Sequence, residues 1–335
     1  MYFDAALPPV SLASVPEIAQ QAEALGFAAL WSSETSHDPF LPLTLIAEHT
    51  SKIQFGTAIA VSFARSPANL AYTAWDLSQY SQGRLILGLG TQVKAHIERR
   101  FGMPWPYSVV KKLREQIQAI HTFWNCWQDN QPFNFQGEYY RLNLMSPFFN
   151  PGPISHPHIP IFIAGVNQGL ARLAGEIGAG FIVHPFHSIR YLKNIILPAI
   201  EAGAKKVGKN RADLQISATV FSVTSSAEAD FARSQIAFYA STPSYRVVMA
   251  QHGWEDTAEK LSALAARGRW GEMPALITDT MLETIAVVAD EQHLAHALQQ
   301  RYQGILDRLA LYTPFTPGHK DAFWKQLISE LQNDG

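Results

Sequence analysis

Two segments carry residue types suited to holding a flat, anionic ligand. In Ser81-Gln-Gly-Arg-Leu-Ile-Leu-Gly-Leu-Gly-Thr91 a helix stops at Gly83 and an apolar strand follows. That strand ends in Gly88 and Gly90, which have no side chains to block a planar guest. In the second segment the strand Ile161-Phe162-Ile163-Ala164 runs into Gly165, and Val166-Asn167-Gln168 opens a helix. The first amides of a helix lack intrahelical partners and can hold a phosphate. A bare wall and an anion hook on nearby strands of one sheet point to a flavin-like cofactor. Acid–base chemistry has few candidates: Glu34 and His37 in Ser32-Ser33-Glu34-Thr35-Ser36-His37-Asp38, and His184 in His184-Pro185-Phe186-His187.

These residues need a frame that brings strand ends together. Apolar runs at 2–6, 27–31, 53–59, 85–89, 160–164, 181–183, 214–223 and 306–312 read as strands. Ser14-Val-Pro-Glu17 is a capping box, and Val15, Ile18, Ala19, Ala22 and Leu25 follow at helical spacing until Gly26. Further helices are predicted near 42–51, 67–80, 108–127, 168–177 and 189–207. Short apolar strands, each followed by an amphipathic helix, make a parallel sheet covered by helices. Eight units close a (β/α)8 TIM barrel, whose chemistry collects at the C-terminal strand ends. A single barrel domain over 1–335 leaves roughly 85 residues beyond the ~250 that a barrel needs. They fall in insertions at about 129–159, after the fourth helix, and about 242–280, between strands 7 and 8. The first reads as a hairpin turning at Gln136-Gly137 and the second as mostly helical. Both are expected to act as lid and wall, with Phe40, Trp105, Phe148 and Phe149 lining the site.

Composition narrows the function classes. The 335 residues are 47% apolar and carry a formal charge of −2 with no basic block, which argues against a nucleic-acid partner. Cys126 is the single cysteine, so no internal disulfide forms, and it reads as buried filler between Trp124 and Trp127. No signal peptide or run of ~20 apolar residues is present. A soluble cytoplasmic protein acting on a small molecule is expected, with no membrane partner. His156-Pro-His158 has ligand-like spacing but precedes the fifth strand, and His184 and His187 lack nearby carboxylates, so no metal is expected. The strand ends offer no close carboxyl pair for a retaining glycosidase. Gly203-Ala-Lys-Lys-Val-Gly-Lys209 imitates a phosphate loop, but Asn210 replaces the hydroxyl residue and the segment closes a helix. Gly88-Leu-Gly90 lacks the third glycine of a dinucleotide fingerprint, Val93 standing there.

The run at 81–91 resembles the fourth-strand signature of the bacterial luciferase-like family. Gly165 with Ala171-Arg-Leu-Ala-Gly175-Glu-x-Gly-Ala-Gly-Phe-Ile182 is similar to its fifth unit. Leu25-Gly-Phe-x-x-Leu-Trp31 and Phe55-Gly-Thr-Ala-Ile59 fit its second and third. The resemblance spans nearly the whole chain and is closest to the branch that uses coenzyme F420, with flavin mononucleotide (FMN) as the alternative cofactor. It implies a hydride-transferring oxidoreductase; the alternatives are an FMN-dependent monooxygenase and a flavin-binding protein without turnover. It implies a ring lying across the strand ends, beside Gly90, Thr91 and Gln92, and propped by a cis peptide at Ala58–Ile59. The phosphate would sit on Gly165, Val166, Asn167 and Gln168, and His184 would make a polar cofactor contact.

Two positions depart from the family pattern. Thr35 stands where alcohol-oxidising members carry a histidine, so His37 is taken as the acid/base and Glu34 as its orienter. Val93 stands where they carry a glutamate. The cluster Lys94, His96, Arg99, Arg100, Lys111, Lys112 and Arg114 suits either an anionic cofactor tail or a solvated helix face. Tyr245, Arg246 and His252 are placed to close over substrate. The family also implies a homodimer, with Trp75 of the third helix in the contact.

Overall fold

The computed structural model describes residues 1–333. Eight parallel strands form a closed barrel. They are β1 (Tyr2–Ala6), β2 (Ala29–Ser32), β3 (Gln54–Thr57), β4 (Leu85–Gly90), β5 (Ile161–Gly165), β6 (Gly180–Val183), β7 (Gln215–Val220) and β8 (Arg308–Leu311). Each pairs with its sequence neighbour, and β1 closes the ring on β8 through Tyr2↔Arg308. Helices α1 (Val15–Leu25), α2 (Leu41–His49), α3 (Pro67–Tyr80), α4 (Val109–Asp129), α5 (Gln168–Ile177), α6 (Leu197–Lys206), α7 (Leu294–Tyr302) and α8 (Asp321–Asn333) surround it. The expected TIM barrel is the observed fold.

Local chemistry sets the element ends. Gly26 stops α1 at φ 96°, in the left-handed region that a side chain disfavours. Asn167 caps α5 by accepting the Leu170 N–H at 3.0 Å. Strand residues alternate between two apolar layers. Outward-facing ones such as Phe3, Phe55 and Leu87 join the helices in the main core, whereas Trp31, Ile86, Phe162 and Ile182 fill the barrel. One ion pair is sealed inside: Arg308 donates to both Asp4 oxygens at 2.8 and 3.0 Å, and Trp31 Nε1 donates to Asp4 at 2.9 Å.

Several expectations need correction. The seventh strand does not run to 223. Phe221 breaks it, and Ser222–Val223 leaves the barrel to pair in parallel with Val287–Val288. An unbroken apolar run cannot signal such a change of partner. The hairpin pairs Phe135–Gln136 with Arg141–Leu142, and its turn is a longer loop closed by Gly137 N–H on Tyr140 O at 2.8 Å. The first insertion neither lids nor walls the strand ends. It packs outside α3 and α4, where Tyr139 N–H donates to Glu115 at 2.7 Å and Tyr72 to Phe149 O at 2.6 Å.

That packing also removes Trp75 from any subunit contact. Its ring is fully enclosed, lies 5.5 Å from Trp127, and donates to Gly152 O at 3.1 Å. Phe148 and Phe149 are exposed on the insertion, and Phe40 is buried under the Arg65 guanidinium at 5.3 Å. Of the four expected lining aromatics, only Trp105 reaches the cavity. The second insertion is helical at Arg246–Ala250 and Glu255–Ala266, and it does supply a wall through Ser244 and Tyr245.

Candidate active site

A cavity of about 740 Å³ opens at the C-terminal strand ends. Its floor is shaped where β3 ends. The Ala58–Ile59 peptide is cis, as the resemblance implied. The loop after β2 braces it: Ser33 Oγ donates to Ala58 O at 2.9 Å and Glu34 N–H to Ile59 O at 3.2 Å. The Glu34 carboxylate accepts from Val61 N–H at 2.6 Å and from Arg65 at 2.6 Å, and Arg65 reaches on to Asp38 at 2.9 Å. Glu34 is thus committed to the β3 bulge and to Arg65; no hydrogen bond between it and His37 is found among the described residues. His37 stands exposed at the cavity rim, on the loop whose Glu34 and Asp38 carboxylates Arg65 clamps.

Of the two β4 glycines, Gly90 lines the cavity and Gly88 does not. A Cβ on Gly88 would stand 1.8 Å from Thr57 O and 2.8 Å from Ile182 Cδ1, so Gly88 exists to let β3 and β4 approach. On Gly90 a Cβ would meet Ile59 Cδ1 at 2.7 Å. The space left by Gly90 holds Ile59, which in turn lines the cavity. Beyond Gly90, Thr91 is buried and Gln92 turns the chain at φ 58°. The Gln92 side chain accepts the Val93 N–H at 2.9 Å.

On the far side of β4, Gly165, Val166 and Asn167 line the cavity where α5 begins, while Gln168 lies outside the lining. The Tyr191 hydroxyl donates to Val166 O and fixes this turn. His184 is half-buried between aromatic rings, stacked on Tyr245 at 4.4 Å and edge-on to Tyr239 at 4.6 Å. Desolvation, with His187 second, pushes its pKa down to about 3. Its Nδ1 accepts the Phe186 N–H at 3.1 Å, so the neutral ring carries its proton on Nε2. His187 is enclosed below it, bonded to His184 O at 2.8 Å and Tyr302 at 3.1 Å.

Sequence reasoning missed Tyr239 and Phe231, which complete an aromatic wall with Tyr245 and with Tyr312 at the end of the eighth strand. Only the helical spacing of Gln235 and Tyr239 hinted at it. Arg246 bonds Ser262 and His252 bonds Ser188, so neither faces the cavity. Most of the cationic cluster is engaged locally: Lys111 pairs with Glu138, Arg114 with Glu176, and Lys112 lies over Phe63. Lys94 alone of them lines the cavity.

Residues 4–308 match the family model for luciferase-like monooxygenases. The chain belongs to that family, and it is an oxidoreductase of the luciferase-like class. An uncharacterized protein of Mycobacterium tuberculosis is 43% identical over 307 residues, 90% of each chain. The coenzyme F420-dependent tetrahydromethanopterin reductase of Methanopyrus kandleri superposes with a TM-score of 0.82 at 21% identity, covering 99% of this chain and 98% of that one. The oxygenating constituent of 3,6-diketocamphane monooxygenase from Pseudomonas putida, solved with FMN, gives 0.67 at 20% identity, covering 99% and 96%.

Proposed function

We propose that the protein transfers hydride between coenzyme F420 and a small organic substrate. One juxtaposition carries this reading: Ile59 and the Gly165–Asn167 turn that leads into α5 line the same apolar cavity. The residues present fit a deazaflavin. Ile59 and Gly90 offer a flat apolar rest, and the backbone of the Gly165–Asn167 turn offers amides for a phosphate. The volume of about 740 Å³ lies within the usual range of small-molecule sites. When bound, the deazaflavin supplies the hydride donor or acceptor.

The chain's own residues do the remaining work. Ser33 and Glu34 hold the bulge that orients Ile59, and the Arg65 clamp holds the loop that carries His37. At the rim His37 can give or take the proton at the substrate oxygen. The aromatic wall and Ile59 exclude water from the reacting face. F420 dependence in the Methanopyrus relative supports the choice of cofactor. The FMN in the Pseudomonas relative favours a second reading, an FMN-dependent monooxygenase.

Anaerobic titration of apoprotein with F420 and with FMN, followed by oxygen-electrode assays, separates the two. Tight F420 binding with substrate-dependent bleaching and no oxygen uptake is the expected result. FMN binding with substrate-dependent oxygen uptake would put the second reading in its place. Binding of neither cofactor would end both.

A further inference from the structure

We propose that the cavity end built by Tyr239, Tyr245 and Tyr312 is a substrate subsite, and that Tyr239 presents there a hydrogen-bond acceptor for the hydroxyl group of an uncharged, ring-bearing substrate. The orientation of the acceptor follows from proton counting. The Tyr312 hydroxyl donates to Gln235 Oε1 at 3.0 Å. A phenol has one proton to give. At the 2.9 Å contact between the two hydroxyls, Tyr239 is therefore the donor and Tyr312 the acceptor. The Tyr239 proton is committed, and what it has left for a guest is lone pairs.

The surroundings define the rest of the guest. Tyr245 stacks on His184 at 26°, and Tyr239 stands at 88° to both rings, so flat apolar faces meet at a corner. Such corners take planar or alicyclic rings edge-on or stacked. The charged lining groups Glu34, Asp38 and Lys94 follow β2 and β4, across the barrel from the β6, β7 and β8 ends that carry this wall. Burial pushes the pKa values of the three phenols up, Tyr245 to about 12, and His184 down, so the corner is neutral at pH 7. A carboxylate or phosphate would find no counter-charge there. At the Tyr239 oxygen itself a carbonyl or ether oxygen would face lone pairs, whereas a hydroxyl is satisfied.

That this guest is the substrate rests on the hydride-transfer reading; that it binds does not. Calorimetric titration of the protein with no cofactor added tests it, using 2-naphthol, 2-methoxynaphthalene and 2-naphthoate as probes. Wild type is expected to bind 2-naphthol about tenfold tighter than 2-methoxynaphthalene, with 2-naphthoate weakest. Tyr239→Phe should bring the first two within about twofold of each other. Tyr312→Phe removes the acceptor of the Tyr239 proton and lets that proton turn into the cavity, so 2-methoxynaphthalene should gain affinity. Equal affinities in wild type, tighter 2-naphthoate, or a preference that survives Tyr239→Phe would each overturn the proposal. The wild-type comparison needs no variant to fold, and failure of F420 and FMN to bind would leave these affinities as they are.

Discussion

Gly90→Ala tests whether Ile59 is the platform for a planar cofactor. The new methyl would stand 2.7 Å from Ile59 Cδ1 and 2.8 Å from Cγ1, where ordinary contact begins near 3.4 Å. Ile59 must therefore retreat by roughly 0.7 Å. Its β-branched side chain has little freedom at χ1, and Ser33 and Glu34 hold the backbone carbonyls on either side. The open direction is into the cavity, onto the space the cofactor needs. Overpacking of this kind costs about 1–3 kcal/mol. If that cost falls on binding, affinity drops about 5- to 150-fold, since ~1.4 kcal/mol is tenfold. Fluorescence titration with F420 and with FMN measures it, beside urea unfolding of the same samples. The expected pattern is weakened binding with a nearly unchanged urea midpoint. Gly88→Ala is the contrast: its methyl would meet Thr57 O at 1.8 Å, where only strand separation gives room. It would also break the paired Thr57–Gly88 hydrogen bonds at 2.6 and 3.0 Å. That variant should fail to fold or lose several kcal/mol. Wild-type affinity in Gly90→Ala, or wild-type stability in Gly88→Ala, would refute the reasoning.

Three further outcomes are expected. His37→Ala should lower kcat by about 10²–10⁴ with cofactor affinity unchanged, in stopped-flow and titration assays, if His37 handles the proton. Asp4→Asn should cost about 3–5 kcal/mol of stability in urea, because it leaves the Arg308 guanidinium buried and uncompensated, whereas Asp4→Leu with Arg308→Met should recover most of it. Stability should fall as pH drops from 6.5 towards 5. The folded-state pKa values of His184 and His187, about 3 and 4, lie below their ordinary 6.5. In that window the unfolded chain binds protons that the native state refuses, so stability rises with pH and is lost on acidification. The loss is roughly 1.4 kcal/mol per pH unit for each imidazole, an upper bound for half-buried His184. Urea midpoints from pH 7 to 5 check it, and a flat profile would contradict the buried, neutral state of His187.

Where a signal is local, the sequence shows it. The bounds of α5 were readable to the residue, as was the Gly26 stop. Barrel closure followed from counting units. What escaped depends on contacts across the chain. An absent side chain looks the same whether it makes room for a ligand or for a neighbouring strand, so Gly88 was read as wall together with Gly90. Trp75 looked like an interface residue because nothing local announces that 129–159 folds back over it. The tyrosine wall joins Tyr239 to Tyr312 across 73 positions, a distance no periodicity spans. Glu34 and Arg65 form an ion pair across 31 positions for the same reason.

The two-rung parallel ladder between Ser222–Val223 and Val287–Val288 has a consequence for how such a protein can diversify. It fastens the neck of the excursion that carries Tyr239 and Tyr245, with Val287 N–H on Phe221 O at 2.8 Å and Ala289 N–H on Val223 O at 3.1 Å. A loop zipped shut at its base can be rewritten inside while the scaffold beneath keeps its own folding instructions. Guest preference and barrel architecture are thereby separable traits, and new specificities can be grafted between 224 and 286 with the strand ends left as they stand.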